Sequence, residues 1–287
     1  MNSSNSPVMV NLEIGDQLTS ISCGHVMVEL IKFIAYQRLQ IPYSYQWLKQ
    51  VVNKKKLCEE EPLKESFQSE RHFRAASNAL ENLDFILKSI QKEISGPSIP
   101  EEVCIALGAT PVTCKEVYRV LLPVVCHKPQ CHSTLIANDQ KIQRNVFRTL
   151  VTSEKLSQVF FNQLSPTNLY VFIKKKLLNN QDNILDNDNF VFSSGCRIPR
   201  SCKIIVIDLR TKKLDNVACC NDFTIFGEVI SQNLENLCLE ESSEREDKYN
   251  EIESTDDIRW YQSSYIMKGF KDCVVNGSSI TNSWLNS

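Results

Sequence analysis

The chain has 287 residues, of which 42% are hydrophobic and 23% are charged, and its formal net charge is −2. This length and composition are typical of a folded protein with a sizeable core, in one large domain or two small ones. A net charge so close to zero provides no general attraction for nucleic acid, so we expect no nucleic-acid partner. The longest apolar run, around Val120–Cys126, is far shorter than the ~20 residues of a membrane-spanning helix, so we expect no membrane segment.

The N-terminal residues 1–7 are polar and lack the basic and apolar parts of a secretion signal. We therefore expect a disordered N-terminal tail on a protein of the cytoplasm or nucleus. The 12 cysteines are irregularly spaced, which in such a compartment indicates reduced thiols rather than a disulfide framework.

Three long helices are predicted, each from apolar residues that recur every three or four positions. The first covers 23–41, and we expect Pro42 to end it because proline disfavours helical geometry in the residue before it. The second covers 66–94, and the third covers roughly 139–163. These three segments are long enough to form one layer of a packed domain.

The segments between and after these helices are predicted as short strands or flexible connections. Strands are predicted at 8–14, 103–107, 117–125, 169–173, 190–192, 203–209, 223–230 and 258–270. A short helix is predicted at 45–52, followed by a flexible charged segment at 53–65. The strongly acidic segment 239–257 is predicted to be a flexible loop, and 274–287 a polar tail. Helices early in the chain and strands late in it indicate the α+β class.

One stretch, VCHKPQCHS, carries residues of the kind that bind metal. Cys126, His127, Cys131 and His132 are four possible zinc ligands within seven residues. Zinc sites normally join two ligand pairs across a loop of ~12 residues or more, so a plain surface loop is favoured and no metal or other cofactor is expected. The sequence shows no phosphate-binding glycine loop and no catalytic motif, so we expect no enzyme. A metal or thiol enzyme that uses this stretch is the competing hypothesis.

Three segments taken together resemble one protein family. They are ELIKFIAYQRLQIPYSYQWLK at 29–49, RNVFRTLV at 144–151 and WYQSSYIMKGFKD at 260–272. Their order and spacing are similar to those of the comet family of Mad-two-binding proteins, which silence the spindle assembly checkpoint. The tripeptide RIP before the strand at Lys203 also fits, and the resemblance extends from about Met9 to Asp272.

This resemblance implies a HORMA-like fold, in which a mainly antiparallel β-sheet is backed by three long helices in a single domain over 8–273. It also implies that the C-terminal strand occupies the place where the closed checkpoint protein holds a partner's peptide. Trp260, Tyr261, Gln262 and Phe270 would then belong to an internal strand that fills the chain's own peptide site. Such a strand gains backbone hydrogen bonds and places alternate side chains in pockets.

The resemblance assigns a partner contact to Gln37, on the first helix. Its neighbours Tyr36 and Arg38 also interrupt an apolar run, and the sequence leaves open whether they face solvent or a partner. The helical pattern alone allows each of these interpretations.

The resemblance assigns a second contact to Phe147, on the third helix. By periodicity, Phe147 is rotated about 100° from the buried stripe that contains Val146. It is therefore either an exposed residue at the edge of the core or a core residue beside Val151. The resemblance favours the exposed position, with Arg144 and Arg148 as a polar rim around an aromatic anchor.

As a whole, the resemblance implies a non-enzymatic adaptor that binds the closed conformer of the checkpoint HORMA protein and blocks its dimerisation face. It further implies remodelling of that protein by an AAA+ ATPase, which silences the mitotic checkpoint. Such an adaptor is expected in the nucleus and cytoplasm, and at the spindle or kinetochore in mitosis. A proline–lysine pair linked to the ATPase in the family is missing near Phe192 and Ser193. The alternative function is another peptide-clasping HORMA-type module of meiotic or repair assemblies.

Overall fold

The computed structural model describes residues 6–12, 18–58, 67–96, 99–123, 125, 139–176, 189–195, 198–210, 258–275 and 277–284. The helices in this part of the chain are α1 (Ser20–Gln37), α2 (Tyr45–Cys58), α3 (Phe67–Ile94), α4 (Asp139–Thr152), α5 (Glu154–Phe161) and α6 (Ile280–Ser283). The strands are β1 (Val8–Asn11), β2 (Glu102–Gly108), β3 (Cys114–Leu121), β4 (Asn168–Lys176), β5 (Phe190–Ser193), β6 (Lys203–Asp208), β7 (Ile258–Ser263), β8 (Met267–Lys268), β9 (Val274–Val275) and β10 (Ser278–Ser279).

The main sheet has the strand order β1-β6-β3-β2-β4-β7-β5, and β8 continues it by pairing with β4. Most neighbours are antiparallel, whereas β6 pairs in parallel with β1 and β3. The central strand β2 is buried on both faces, with Val103 and Ile105 in the main core and Cys104 and Ala106 in a smaller cluster behind the sheet. This architecture confirms the predicted α+β, HORMA-like fold class.

Helix α3 shows how the apolar spacing of the sequence builds the main core. Six residues of the predicted stripe are buried in it: Ala76, Leu80, Leu83, Leu87, Ile90 and Ile94. Phe73 is only partly buried at the edge of the same core. Helix α1 packs against both α3 and α4, so it lies in the middle of the helical layer.

Helix α1 ends at Gln37, so the prediction that Pro42 ends it was wrong. The chain turns at Leu39, whose φ is 54°. The Leu39 N–H donates to the Tyr36 carbonyl and the Gln40 N–H to the Ala35 carbonyl, the two bonds of a Schellman motif. The backbone of the last turn therefore ends the helix before the proline is reached.

Helix α2 is longer than the predicted 45–52, since residues 53–58 of the expected flexible segment 53–65 are helical. Val51 is buried, and so is Lys55, which lies one turn further along the same side of the helix. The Lys56 ammonium also lies 2.6 Å from Glu81 of α3. Contacts with the core and with α3 thus extend the helix through a segment that composition alone marks as a linker.

The predicted third helix, 139–163, is two helices that meet at Ser153. Ser153 has the extended dihedral angles of an N-cap, and its hydroxyl accepts a hydrogen bond from the Leu156 N–H. The apolar stripe continues across this break, because Val146, Leu150 and Leu156 are all buried. Periodicity therefore predicts the buried side of this region correctly but does not show the capped break.

The C-terminal segment differs from the predicted polar tail at 274–287. It forms the β9–β10 hairpin and the short helix α6, and Ile280 and Trp284 are buried in the main core. The Trp284 ring lies 5.3 Å from the rings of both His72 and Phe73. Two apolar residues four positions apart are enough to dock this short segment on α3.

Several predicted features lie outside the described residues. They are the strand at 223–230, the acidic loop at 239–257, the Cys126–His132 stretch and most of the N-terminal tail. What the sequence predicts for these segments stays a prediction.

Candidate partner-binding face

Three phenylalanine side chains meet where α1 packs against α4 and α5. The ring centroid of Phe33 on α1 lies 5.9 Å from that of Phe147 on α4 and 5.9 Å from that of Phe160 on α5. Both pairs are edge to face, a favourable arrangement for aromatic rings. All three residues are half-buried against the main core, so Phe147 is held at the edge of the core with part of its surface exposed.

Three polar side chains surround this cluster. Gln37 lies one turn beyond Phe33 on α1 and is half-buried, whereas Arg144 and Arg148 lie on either side of Phe147 along α4 and are exposed. None of these three side chains forms a hydrogen bond or ion pair with any residue that the structure describes. We name Phe33, Gln37, Arg144, Phe147 and Arg148 the α1–α4 face.

Exposed apolar residues border the α1–α4 face. Tyr36 on α1 is 42% exposed, Val151 on α4 is 63% exposed and Phe161 on α5 is 86% exposed. The exposure of Val151 argues against the alternative in which Phe147 is a core residue beside it. Large apolar side chains next to polar groups without intramolecular partners are typical of surfaces that bind other proteins.

Arg38 has the opposite environment from its neighbour Gln37. Its side chain is buried, and the guanidinium donates through Nε to Glu116 Oε2 at 2.8 Å and through Nη2 to Glu116 Oε1 at 2.7 Å. Tyr118 also donates to Glu116, at 2.9 Å, and burial is the main cause that raises the pKa of Tyr118, so its hydroxyl keeps the proton that it donates. Both predicted positions for Arg38, facing solvent or facing a partner, were therefore wrong, because Glu116 holds its side chain inside the protein.

The sequence did contain a signal for the position of Arg38. Leu30 and Ile34 are buried in α1, and Arg38 follows them at the same four-residue spacing, so it continues the buried side of the helix. Glu116 lies in β3 between two other buried residues, Cys114 and Val117, and supplies the matching charge. A charged residue that continues the spacing of a buried apolar stripe indicates a buried ion pair when a buried strand carries a residue of opposite charge.

Strand β7 lies inside the sheet, between β4 and β5. Tyr261 faces the helices and is buried, whereas Trp260 and Gln262 point to the opposite face. The Trp260 ring packs over Gly195, where a Cβ atom would lie only 3.2 Å from the indole. A strand with a partner on each edge has the geometry expected of the predicted internal strand.

Phe270 does not belong to that strand, so this part of the predicted 258–270 strand needs correction. β7 ends at Ser263, and the chain pairs again with β4 only at Met267–Lys268. After Gly269, whose Cβ would lie 2.7 Å from the Thr167 carbonyl oxygen, the Phe270 N–H donates to the Gln40 carbonyl at 3.0 Å. The chain therefore leaves the sheet and docks on the turn that ends α1.

A family model for p31comet, described as "Mad1 and Cdc20-bound-Mad2 binding", matches residues 4–173. The match covers more than half of the 287 residues. The chain belongs to the p31comet family. This confirms the resemblance found in the sequence, and the family is one of binding adaptors. No curated protein sequence matches the chain.

The p31comet match includes the whole α1–α4 face, because it runs from β1 to Ile173 in β4. It ends before β5 and β7. The roles predicted for Gln37 and Phe147 therefore lie in the segment that carries the family relationship. The internal strand depends on the pairing observed in the structure and on the resemblance of the last segment.

Other features of this p31comet-family chain have structural explanations. Three consecutive lysines at 174–176 form ion pairs with acidic side chains, Lys174 and Lys176 with Glu101 and Lys175 with Glu93. Among the described residues there is no group of three side chains placed to hold a metal ion, and no helix is long and apolar enough to cross a bilayer. Phe192 and Ser193 lie in β5, the last strand in the order of the described sheet, with Phe192 65% exposed.

Proposed function

We propose that this protein is a non-enzymatic adaptor that binds Mad2 in its closed conformer, through the α1–α4 face. The observation that carries the proposal is the position of Phe147. Its ring rests on Phe33 at the edge of the core, between two arginines without intramolecular partners in the described part of the chain, inside the segment that matches the p31comet family. An aromatic anchor with a polar rim is the usual composition of an interface hot spot.

The polar groups of the face suit a folded protein surface rather than a short peptide. The two exposed guanidiniums of Arg144 and Arg148 can each donate hydrogen bonds to a carboxylate or a carbonyl, and the amide of Gln37 can both donate and accept hydrogen bonds. A partner bound across α1 and α4 would cover all three groups together with Phe147. Occupation of the matching Mad2 surface would block its dimerisation.

The consequences for the checkpoint are the second part of the proposal. Binding to closed Mad2 would present it to an AAA+ ATPase, which hydrolyses the ATP and reopens Mad2, so that the mitotic checkpoint is silenced. We place the protein in the nucleus and cytoplasm, with association at the spindle or kinetochore in mitosis. The proline–lysine pair of the family is missing near Phe192 and Ser193, so the proposal includes no ATPase contact at that position.

The experiment that tests the proposed function compares two conformers of Mad2. Purified Mad2 locked in the closed form and Mad2 locked in the open form are immobilised separately, and binding of the full chain to each is measured. We expect strong binding to the closed form only, and markedly weaker binding to it in Phe147→Ala. Equal binding to both conformers would contradict the mechanism. Addition of an AAA+ ATPase of this pathway with ATP then tests the remodelling step directly.

A further inference from the structure

Arg38 connects three elements of the fold at a point directly behind the α1–α4 face. Besides its two bonds to Glu116 of β3, its guanidinium donates to the Phe160 carbonyl at 3.4 Å and to the Asn162 carbonyl at 2.8 Å. Arg38 is the C-cap residue of α1, and its side chain is 2% exposed. One side chain therefore joins the end of α1, a buried strand and the end of α5.

The two carbonyls that Arg38 binds are at the C-terminal end of α5, which ends at Phe161. The last carbonyls of a helix have no partner within the helix, and a cation there also interacts favourably with the helix dipole. The Cζ atom of Arg38 lies 5.6 Å from the centroid of the Phe160 ring, so the guanidinium also contacts the side chain of that residue. The position of Phe160 is thus set by Arg38 through both its backbone and its ring.

A continuous series of contacts leads from this guanidinium to the proposed anchor. Phe160 meets Phe33 edge to face, and Phe33 meets Phe147 in the same manner. Phe33 is the residue common to both pairs, so its ring cannot shift without changing the support of Phe147. A displacement of Phe160 would therefore change its contact with Phe33, and through Phe33 the contact that supports Phe147.

We propose that Arg38 is a positioning residue for Mad2 binding, which acts through Phe160 and Phe33 on the orientation of the Phe147 ring. This inference rests on the proposed function of the α1–α4 face. Arg38 itself is buried and does not touch the partner. The forked geometry of the guanidinium is essential to this role, since one planar group has to serve Glu116 and two carbonyls at once.

The test uses Arg38→Lys in the full chain, because lysine keeps the charge and loses the fork. Affinity for purified closed Mad2 bound to a Cdc20 peptide is measured by calorimetry, at a temperature where the variant is folded by circular dichroism. We expect about a 10-fold loss of affinity, corresponding to ~1.4 kcal/mol. The matched control is Arg119→Lys, which breaks another forked pair, Arg119 with Glu102 on β3 and β2. This control should bind within about 2-fold of the wild type.

A double-mutant cycle separates positioning from a general loss of stability. If Arg38 acts through Phe147, then Arg38→Lys should cost less than about 3-fold when Phe147 is already alanine, because the ring that it positions is absent. Equal losses in both backgrounds, or wild-type binding by Arg38→Lys, would overturn the inference. If Phe147→Ala alone binds normally, the proposed face itself is wrong, which is a different result.

A second variant keeps the test decisive if Arg38→Lys does not fold. Phe160→Leu removes the ring that joins Arg38 to Phe33 and leaves the buried ion pair in place. It should reduce affinity by several-fold in the wild-type background and have little effect in the Phe147→Ala background. Additive effects of Phe160→Leu and Phe147→Ala would overturn the inference in the same way.

Discussion

The rings of Phe33 and Phe147 meet edge to face with their centroids 5.9 Å apart, at the junction of α1 and α4. This contact holds Phe147 in place while leaving part of its ring exposed. Mutation of Phe147 should therefore reduce binding strongly and stability only slightly, and the two effects can be measured separately.

Phe147→Ala should weaken binding to closed Mad2 by at least ~2 kcal/mol, the loss typical of an interface hot spot. Its effect on the free energy of unfolding should be near 1 kcal/mol, because only part of the ring is buried. Calorimetry with Mad2 and urea denaturation of the free protein measure the two quantities. A loss of several kcal/mol in stability would show that Phe147 is a core residue and that the face is misplaced.

A matched control for that variant is Phe85→Ala. Phe85 on α3 is 45% exposed, and its ring stacks on Tyr265 at 4.5 Å, on an element that is not part of the α1–α4 face. Its loss should lower stability by a similar amount and leave the affinity for Mad2 unchanged. If Phe85→Ala weakens binding as much as Phe147→Ala, the effect is not specific to the proposed face.

Gln37→Ala should mainly weaken binding, whereas Gln40→Ala should mainly lower stability. Gln37→Ala should cost about 1 kcal/mol in binding and little in stability, since its amide has no partner in the described part of the chain. Gln40 is fully buried, accepts from the Thr167 N–H at 2.7 Å and donates to the Arg38 carbonyl at 2.6 Å. Its replacement should cost ~2 kcal/mol or more of stability. Binding and denaturation measurements on both variants check the contrast, which fails if Gln37→Ala is the less stable protein.

Trp284→Ala should lower the free energy of unfolding by about 3 kcal/mol, as expected when a large aromatic residue is removed from a core. The indole is buried against His72 and Phe73, and its Nε1 donates to the Ser69 hydroxyl at 3.3 Å. Val274→Ala, in the same segment but 62% exposed, should change stability by less than ~0.5 kcal/mol. Urea denaturation compares the two, and equal stabilities would show that the segment after β8 is not docked in solution.

Acidification should destabilise the protein through His72. The Thr281 hydroxyl donates to Asp272 Oδ1 at 2.7 Å, so it must accept from His72 Nε2–H at 2.9 Å. Burial is the main cause that lowers the pKa of His72 from its ordinary value of 6.5, although Asp272 acts in the opposite direction. Below about pH 6.5 the unfolded chain therefore gains a proton that the folded chain does not take up, and stability falls as the pH is lowered toward the folded value.

The titration of Asp272 itself does not change stability in this pH range. Burial raises the pKa of Asp272, but hydrogen bonds from Ser279, Thr281 and Tyr43 outweigh it, so the pKa is lowered from 3.8 and that stabilisation is lost only at a more acidic pH. Urea denaturation at pH 7.5 and 5.5 should show a smaller difference in His72→Gln than in the wild type. An unchanged pH dependence in His72→Gln would contradict the assignment.

Hydrogen exchange distinguishes a fixed internal strand from a mobile belt. The amides of β7 are paired with β4 on one side and β5 on the other, so they should be protected for as long as those of central strand β2. The amides of β5, whose described pairing is with β7 alone, should exchange faster. Fast exchange of β7 in the free protein would favour the alternative of a peptide-clasping module.

The sequence by itself determined the class of the fold and the family. Regular apolar spacing is a local property, so the stripe of α3 from Ala76 to Ile94 could be predicted without knowledge of its neighbours. Contiguous motifs carried the relationship to the p31comet family, and with it the partner contacts predicted for Gln37 and Phe147. The edge position of Phe147 was one of two possibilities that helical rotation allowed.

Only the tertiary structure decided whether Arg38 has an internal partner and whether the C-terminal segment is docked. Arg38 and Gln37 are neighbours in sequence, yet one is buried because Glu116 reaches it from a strand 78 residues away, and the other stays at the surface. The docking of Trp284 on α3 likewise depends on residues distant in the chain, Ser69, His72 and Phe73. A local pattern shows which side of a helix or strand is apolar. The position of a charged side chain or of the C-terminal segment depends on residues that are distant in sequence and become neighbours only when the chain folds.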